Sequence, residues 1–283
     1  MPSFSKKTLR FIIKIGEQGQ QLTLEGFRAT VDIQKTGGAT MSSLNARIFG
    51  VRQADMNSVT TLLYQPRVLI KNTIEVYAID DPAITLIFAG NIITAWGDYE
   101  AMPHVALTIR AQAAFFHGIE TTQPLSFKGR IDVASAMAQC ARKMSLGFEN
   151  NGVSIQMENL YIANTLLEQV RDLAEMAGID FVIDDKTLAI MPRGFPRSSL
   201  IPLLSKDSGM IGYPNFDGVG IWVRTLFNPG IVFQGKVNVE SDVTRAAGEW
   251  VVSTLNHVLS SEFPGGPWHS EIRGIRSGLA ITR

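Results

Sequence analysis

Two pairs of adjacent carboxylates are the first residues in this sequence whose types could do chemistry. Asp80 is followed by Asp81, and Asp184 is followed by Asp185. Two carboxyl groups held close together can divide the work of a general acid and a general base. Both pairs, however, lie between apolar alternating runs, where Asp bonds the local backbone and tolerates a left-handed conformation. We therefore interpret both pairs as hairpin turns.

Histidine and cysteine form no metal-ligand pattern in this sequence. Metal sites need His, Cys or carboxylates clustered at fixed spacings, and His104, His117, His257 and His269 do not cluster in this way. We predict that each histidine lies at the surface or in an interface. The single cysteine, Cys140, cannot form an internal disulfide, which fits a reducing cytoplasm, and its place on an apolar helical face predicts a small core residue.

Motifs for nucleophilic catalysis and phosphate binding are also missing. The sequence has no GxSxG elbow, no P-loop and no GxGxxG fingerprint. The nearest stretches, TGGAT at 36–40 and DGVG at 217–220, precede no predicted helix whose N-terminus could hold a phosphate. We therefore predict no catalytic residue, no cofactor and no metal ligand.

The composition indicates a chain that works in an assembly. Charged residues make up 18% of the 283 residues, against about 25% in an average soluble protein, as expected where other subunits cover the surface. Lys plus Arg equals Asp plus Glu at 26 each, so no net field attracts nucleic acid or an anionic membrane. The longest apolar stretch, at 82–96, falls short of the roughly 20 residues that span a bilayer. We predict no membrane partner.

The hydrophobic period divides the chain into three parts. From Leu9 to about Phe116 it is mostly two, which predicts long antiparallel strands. One short helix is expected within 51–65, with Met56, Val59, Leu62 and Leu63 on its buried side. After residue 120 two helices are expected, at 131–147 and 165–178, followed by a hairpin at 179–191. Strands return from residue 221 onward.

Both predicted helices carry terminal signals. Gly147 is placed to close the first helix, whose buried stripe includes Met137 and Cys140. The second helix begins with a capping box, in which Thr165 caps and Glu168 reaches back. Gly178 is expected to end it.

This order predicts a mainly β protein, α+β overall, with two tube-like antiparallel β-barrel or sheet domains and an inserted small α+β domain containing two helices. The expected boundaries are 1–120, 121–196 and 197–283. Ile84–Arg110 can be aligned with Glu249–Ile275, which pairs Asn91 with Asn256 and His104 with His269. Two identities are what chance supplies, so a structural duplication stays open.

Several stretches between about 120 and 275 are more informative as a set than any of them is singly. The first is the helical insertion at 133–194, and the others are short elements rich in Gly, Pro and aromatic residues. These short elements are Gly212, Tyr213 and Pro214; Asn228, Pro229 and Gly230; Gly235, Lys236 and Val237; Asn256 and His257; and Pro264, Gly265, Gly266 and Trp268. Together they resemble the baseplate hub proteins of contractile-tailed bacteriophages, the late control protein D or tail hub family, which is related to the base of type VI secretion spikes.

The resemblance implies a structural virion protein. Three copies would form a hub whose two β domains per chain give six-fold pseudosymmetry, matching the hexameric tail tube on one side and seating the trimeric spike on the other. DNA would pass through the lumen without specific binding, next to other baseplate proteins. Assembly would take place in the host cytoplasm. Tyr213, Trp222 and Trp268 are expected to supply large buried contacts.

Two other functions stay open. The chain could be an envelope-degrading hydrolase of a tail, although no fused lysozyme or peptidase module is recognisable. It could also be the base of a type VI secretion spike, a relative that usually continues into a β-helical needle.

Overall fold

The computed structural model describes residues 7–16, 19–38, 40–61, 71–80, 82–100, 102–197 and 200–276. The mainly β prediction is confirmed, since strands take 51% of the chain and helices 13%. The elements before residue 120 are β1 (Lys7–Ile15), β2 (Gln20–Glu25), β3 (Ala29–Lys35), β4 (Ser43–Phe49), α1 (Gln53–Val59), β5 (Thr73–Asp80), β6 (Ala83–Asp98), β7 (Ala106–Gln112) and a 3-10 turn (Phe116–Gly118).

The elements of the insertion are β8 (Leu125–Ser126), β9 (Arg130–Asp132), α2 (Val133–Lys143), β10 (Gly147–Asn150), β11 (Gln156–Glu158), β12 (Tyr161–Ile162), α3 (Leu166–Ala177), β13 (Ile179–Asp184) and β14 (Thr187–Pro192). The elements that follow are β15 (Leu203–Leu204), β16 (Met210–Phe216), β17 (Gly220–Leu226), β18 (Lys236–Val239), β19 (Gly248–Ser261) and β20 (Trp268–Ile275).

One 13-stranded sheet runs through both β parts of the chain. Its strand order is β16, β17, β20, β19, β3, β4, β7, β6, β5, β1 and β2, and β18 lies beside β19 with β15 next to it. The link between the two parts is antiparallel pairing of β19 with β3, from Leu255↔Lys35 to Ser261↔Ala29. Because β16 and β2 end the order, the sheet among the described residues is open, and the barrel alternative is wrong.

Alternation along the strands sorts the two faces of this sheet. In β3, Ala29, Val31 and Ile33 are buried, while the residues between them are less covered. The same pattern in β4 places Leu44, Ala46 and Ile48 on the buried face. Period-two alternation puts these side chains on one face because successive Cβ atoms point to opposite sides of a strand. One face therefore packs two apolar cores, and the other is more exposed to solvent.

The insertion packs both of its helices on a separate three-stranded sheet of β10, β14 and β13. Asp132 caps α2 by accepting a hydrogen bond from the Ser135 N–H, at 3.2 Å. The predicted stop at Gly147 is wrong: α2 ends at Lys143, and Gly147 already begins β10. Ser145 supplies the left-handed residue instead, with φ of 58°. Cys140 is buried in this core as predicted.

The second helix follows its prediction at both ends. Thr165 caps α3 by accepting from the Glu168 N–H at 3.3 Å, and Gly178 ends the helix with φ of 64°. The second half of the capping box is wrong, because the Glu168 carboxylate accepts from Arg171 at 2.7 Å. In the first β part, α1 buries Met56 and Val59 as predicted, while Leu62 and Leu63 lie outside the described residues.

Five strands of the first β part recur in the second with the same order. We define the first unit as β3, β4, β7, β6 and β5, and the second unit as β16, β17, β20, β19 and β18, each in spatial order. In the first unit β4 pairs with β7 from Ser43↔Gln112 to Phe49↔Ala106. In the second unit β17 pairs with β20 over the same length, from Gly220↔Ile275 to Leu226↔His269. In this comparison Ser43 corresponds to Gly220 and Gln112 corresponds to Ile275, and each pair of strands contains seven cross-strand partners.

The long strands of the two units share a bulge as well. The register of β6 on β7 shifts between Ile92 and Thr94, and that of β19 on β20 shifts between Val252 and Thr254. On the other edge, Thr73↔Asn91 in the first unit corresponds to Lys236↔Val251 in the second. The sequence alignment therefore joined the right hairpins in the wrong register, since the counterpart of Asn91 is Val251 and not Asn256.

Candidate assembly surfaces

The outer face of the main sheet carries a row of polar residues. Cross-strand partners on this face continue from β17 to β2 without an aliphatic or aromatic side chain in the row. The row consists of Arg224, Glu271, Asn256, Gln34, Ser43, Gln112, Asn91, Thr73, Lys14 and Gln21. We call it the polar row. A continuous row of polar side chains across ten strands is suited to contact with water.

Charges on this face mostly neutralise each other across strands. Arg224 donates to Glu271 at 2.6 Å and Arg47 donates to Asp98 at 2.7 Å, both in exposed pairs. Arg273 donates to Asp217, and this bond together with the Gly220 N–H lowers the pKa of Asp217 to about 2. These three pairs neutralise part of the positive charge on the sheet surface.

Some polar atoms of the face have no hydrogen-bond partner among the described residues. Asp32 Oδ1, Thr94 Oγ1, Thr108 Oγ1 and Asn256 Oδ1 are buried between neighbouring side chains in this way. Burial raises the pKa of Asp32, and the negative charge of Glu271 raises it further. Buried polar atoms of this kind are normally satisfied by water or another molecule.

A second surface, at the β16 end of the sheet, is apolar. Tyr213 is 66% exposed and Trp222 is 40% exposed. Together with them, Ile211, Phe216, Val219 and Leu226 form what we call the apolar edge, each also exposed. A groove of about 360 Å³ runs along it, with Arg224 and Glu271 on one side. Several exposed apolar residues at one end of a sheet are typical of an interaction site.

A third surface lies at the far end of β6. Trp96, Tyr99 and Met102 are exposed there, and Met102 is 74% exposed. We call these residues the β6 tip. The Tyr99 hydroxyl accepts a hydrogen bond from Gln53 at 2.6 Å, which fixes the ring beside α1.

The predicted turn at Asp184 and Asp185 is part of a buried ionic junction. Lys35, the last residue of β3, donates to Asp184 Oδ1 at 2.9 Å and to Asp185 Oδ1 at 2.6 Å. Arg197 donates to Asp184 at 2.9 Å and to Glu149 at 2.8 Å. Asp185 keeps its predicted left-handed geometry, with φ of 52°. The turn prediction is right, but the carboxylates tie the insertion to the main sheet.

The pKa values of the residues in the ionic junction reflect both burial and the opposite charges beside them. Burial raises the pKa of Asp184, but Lys35 and Arg197 outweigh this and hold it at about 2. Burial raises the pKa of Asp185, which shares Lys35 with Asp184. Burial lowers the pKa of Lys35, yet the two carboxylates reverse the sign and raise it. These carboxylates are therefore engaged with cations and do not form a free acid and base pair.

Close backbone packing surrounds the ionic junction. A Cβ at Gly37 would lie 2.8 Å from the Phe233 ring and 2.9 Å from Val182, so the β3–β4 loop passes directly beneath the insertion. The Gly38 N–H donates to the Phe181 carbonyl at 3.3 Å. Phe233 packs with Val182, Ala189 and Met191 on the second face of the insertion sheet. The cavity beside the junction is about 50 Å³, against about 300–1,000 Å³ for ligand pockets.

Asp80 ends β5 in the predicted hairpin, and Asp81 lies outside the described residues. Among the histidines, His104 is exposed, and His117 and His269 are half-buried. The prediction for His257 is wrong, because it is 4% exposed and bonds Ser270 Oγ through Nδ1 at 2.8 Å. Burial, and then the charge of Lys35, lower the pKa of His257 to about 3.

The first group of family-motif residues forms a bulge on the edge strand. Gly212 has φ of 75°, and the register of β16 on β17 jumps from Ile211 to Asn215 across Gly212, Tyr213 and Pro214. Pro214 is buried, whereas the Tyr213 side chain is exposed. The expected buried contacts of Tyr213 and Trp222 are therefore wrong, since their position on the edge strand leaves one side open.

The second group forms a turn between β17 and β18. Asn228 Oδ1 accepts from the Gly230 N–H at 2.9 Å, across Pro229. The following strand is shorter than predicted, since β18 begins only at Lys236, after Gln234 with φ of 65° and the buried Gly235.

The last group, which begins at Pro264, shapes the β19–β20 hairpin. Phe263, Pro264, Gly265 and Gly266 form its turn, in which Gly265 has φ of 69° and the Gly266 N–H donates to the Phe263 carbonyl at 3.0 Å. A Cβ at Gly266 would lie 2.1 Å from Ser260 Oγ. The absence of a side chain at Gly266 therefore allows the turn to fold back closely.

Phe227 lies between two of the family-motif residues, His257 and Trp268. Its ring lies edge-on to His257 at 5.3 Å and to Trp268 at 5.9 Å, between centroids. Trp268 is buried as expected. Phe227 was missed by the sequence reasoning, and its position directly before Asn228 is the signal that could have found it. The Gly212 group stays apart at the edge strand.

Within the described ranges, no group of three or more His, Cys, Asp or Glu side chains could hold a metal ion. None of the described helices combines the length and apolar character that a membrane crossing requires.

A family model described as baseplate hub gp41 matches residues 9–263. This match confirms the resemblance drawn from residues 120–275 and extends it through the N-terminal strands. No curated protein sequence matches the chain.

Solved structures of tail proteins share the fold. The tail protein from Neisseria meningitidis MC58 aligns with a TM-score of 0.64 at 11% identity, covering 96% of this chain and 98% of that one. The 43 kDa tail protein of prophage MuSo2 from Shewanella oneidensis gives 0.62 at 10% identity, covering 94% and 96%. The E. coli c3393 protein, a component of the type VI secretion system, gives 0.59 at 10% identity, covering 94% and 77%. At these identities the likeness is one of fold alone.

Proposed function

The chain belongs to the baseplate hub gp41 family, and on that premise we propose that three copies form a hub joining the hexameric tail tube to the trimeric central spike. The hub continues the DNA channel and contacts other baseplate proteins. Its first tube-like domain comprises residues 1–120, its insertion 121–196 and its second tube-like domain 197–283. It is a component of the virion and is assembled in the host cytoplasm.

The repeated register of the two units is the observation that carries this proposal. A ring of three chains, each with two units of the same strand order, presents six similar units to one partner. The same ring has true three-fold symmetry for the other partner. A chain with a single unit would lack this means of joining a hexamer to a trimer.

The polar row supports the part of the proposal that concerns the channel. A channel for DNA needs a wetted wall that does not hold phosphates, because each phosphate contact by a free cation adds affinity through counterion release. In the row, Arg224 is paired with Glu271, and the central positions are amides and hydroxyls. This face of the sheet therefore suits a lumen through which DNA slides.

The state of the carboxylates supports a function without catalysis. Asp184 and Asp185 are paired with Lys35 and Arg197, so neither is placed to exchange a proton with a substrate. We expect the purified protein to release no fragments from peptidoglycan. Hydrolysis that disappears in Asp184→Asn or Asp80→Asn would overturn the structural function and favour an envelope-degrading hydrolase.

The proposal is tested by the mass of the purified protein in solution. We expect light scattering to give a trimer, for the chain alone or after addition of the spike protein. A chain that stays monomeric in both conditions contradicts the proposal. Electron microscopy of tails with this chain labelled should then place the label where tube and spike meet, and a label elsewhere in the tail would contradict that position.

A further inference from the structure

The two units of one chain are joined by a strand junction with a defined geometry. One edge of β19 carries β18 over Gly248–Val251 and β3 over Leu255–Ser261. The other edge of β19 pairs with β20. β3 therefore continues the edge of β19 beyond the point where β18 ends, and this contact makes one sheet of the two units.

The first unit has the same edge without the added strand. β6 is the counterpart of β19, and it pairs with β5 over Ala83–Asn91 and with β7 over Asn91–Asp98. Past Asn91, no strand of the described residues pairs with the edge of β6 on the β5 side. Thr61 bonds Ala95 there. The Thr61 N–H donates to the Ala95 carbonyl at 2.9 Å, and the Ala95 N–H donates to the Thr61 hydroxyl oxygen at 2.8 Å. Among the described residues, the part of β6 beyond Ala95 is the unpaired equivalent of the place that β3 takes on β19.

The second unit has the matching strand without a partner. β16 is the counterpart of β3, and among the described residues it pairs with β17 alone. One chain thus contains both halves of a second junction, at positions too far apart in the strand order to meet within that chain.

Exposed apolar side chains lie at both halves. The apolar edge, with Ile211 and Tyr213, covers β16, and the β6 tip, with Trp96 and Tyr99, covers the end of β6. Aromatic side chains of this kind are enriched in the cores of protein interfaces. Their position at the two open halves is what a contact between copies requires.

We propose that β16 of one copy docks against the end of β6 of the next copy, where β3 docks on β19 within each chain. The occupant of the apolar edge is therefore a second copy of this chain. The contact is head-to-tail, and repetition of it closes a ring if the rotation between copies fits. This inference rests on the proposed trimer and names the surfaces that build it.

The register of the internal junction predicts which residues meet. Val258↔Asp32 within the chain corresponds to Asp98 facing Asn215 of the next copy.

The contact differs from the internal junction in one respect. The bulge at Gly212–Pro214 interrupts the ladder, and Pro214 has no N–H to donate. Edge strands with proline and bulges resist uncontrolled strand addition. The Tyr213 side chain, on this bulge, therefore supplies much of the contact, and the backbone supplies less than it does between β3 and β19.

A cysteine pair tests the register directly. The native Cys140 is buried, so it does not compete for oxidation. In the variant Asp98→Cys/Asn215→Cys, oxidation of the purified protein, with and without the spike protein, should give covalent dimers and trimers on a non-reducing gel. The pair Asp98→Cys/Met176→Cys is the control, because Met176 is exposed on α3 and belongs to neither half. It should remain uncrosslinked.

A charge at the apolar edge tests the same contact without oxidation. Tyr213→Asp should weaken self-association by at least about ten-fold, as expected for an aromatic residue in an interface centre. Its melting temperature as a monomer should not change, because the side chain is exposed. Met176→Asp should associate normally.

The outcomes separate this inference from the proposed function. A trimer by light scattering that is neither crosslinked by the Asp98 and Asn215 pair nor weakened by Tyr213→Asp overturns the inference and leaves the trimeric hub standing. A protein that stays monomeric with and without the spike protein overturns both.

Discussion

The two five-stranded units share their order and register, but their leading strands have opposite surroundings. β3 is paired on both edges, by β4 and β19, and its last residue, Lys35, is buried under the insertion. β16 is paired on one edge and exposes Tyr213 and Phe216. The register is thus a property of the hairpins, whereas the state of an edge depends on what the rest of the chain places beside it.

The same contrast holds for charge. We call β3, which is paired on both sides, the closed edge, and β16, which is paired on one side, the open edge. At the closed edge, the ionic junction buries Lys35 between two carboxylates, with Arg197 beside them. Next to the open edge, Arg224 on β17 and Glu271 on β20 form a pair that is partly exposed to solvent. A buried pair that loses one partner leaves an uncompensated charge, while an exposed pair that loses one partner is solvated by water. The two edges should therefore respond very differently to the loss of a cation.

The largest expected effect comes from removing Lys35. Lys35→Met should lower the free energy of unfolding by about 3–5 kcal/mol, because Asp185 is left buried without its cation. Arg224→Ala, the matched control at the open edge, should cost less than about 1 kcal/mol. Urea unfolding of both variants measures the difference. Equal losses in the two would show that the ionic junction does not stabilise the closed edge.

Matched core positions in the two units sharpen the comparison. Ile109 on β7 and Ile272 on β20 are counterparts, and both are buried. Ile109→Ala and Ile272→Ala should each cost about 2–5 kcal/mol, since truncation leaves a cavity in a packed core.

Because β19 and β3 make one sheet, we expect each of these variants to shift a single melting transition that includes both units. Calorimetry checks this, and two separate transitions that respond to one variant each would mean that the units unfold independently.

The smallest expected effect is the response of the ionic junction to acid. The pKa of Asp184 is held at about 2, below its ordinary 3.8, so its stabilisation is complete above about pH 4 and is lost as the pH falls through 2. The contribution is about 2 kcal/mol, from the usual value per pKa unit. Burial raises the pKa of Asp185, so protonation of that carboxyl as the pH falls favours the folded state, which is opposite to the effect of Asp184.

Urea unfolding between pH 5 and pH 2 measures this contribution. Asp184→Asn should be less stable at pH 5 and should lose less stability on acidification than the natural chain. Identical slopes in the two proteins would contradict the assignment to Asp184.

Much of the local structure was predictable from local sequence. The stripe that includes Met137 and Cys140 predicted the buried face of α2, and Thr165 and Gly178 predicted the ends of α3. The turn at Asp184 and Asp185 was also predicted, since both the alternation and the turn residues lie within a few positions. Gly147 failed as a stop signal because Ser145 took the left-handed conformation that glycine usually supplies.

The surfaces were less predictable. Lys35 is distant in sequence from Asp184, and nothing in either segment indicates that the other will cover it. Tyr213 and Trp222 have the types of core residues, yet their strands end the sheet. The repeat was found between the right hairpins, but its register depends on hydrogen bonds between strands, which two chance identities could not determine.

The sequence by itself determined which face of each strand and helix is apolar and where most turns fall, because these depend on side-chain period and on the backbone preferences of Gly, Pro and Asp. The tertiary structure alone decided which strand edges are closed, which charges are buried and which aromatic side chains stay exposed. These properties depend on contacts between segments that are far apart in the chain. Such contacts form only when the folded backbone brings those segments together.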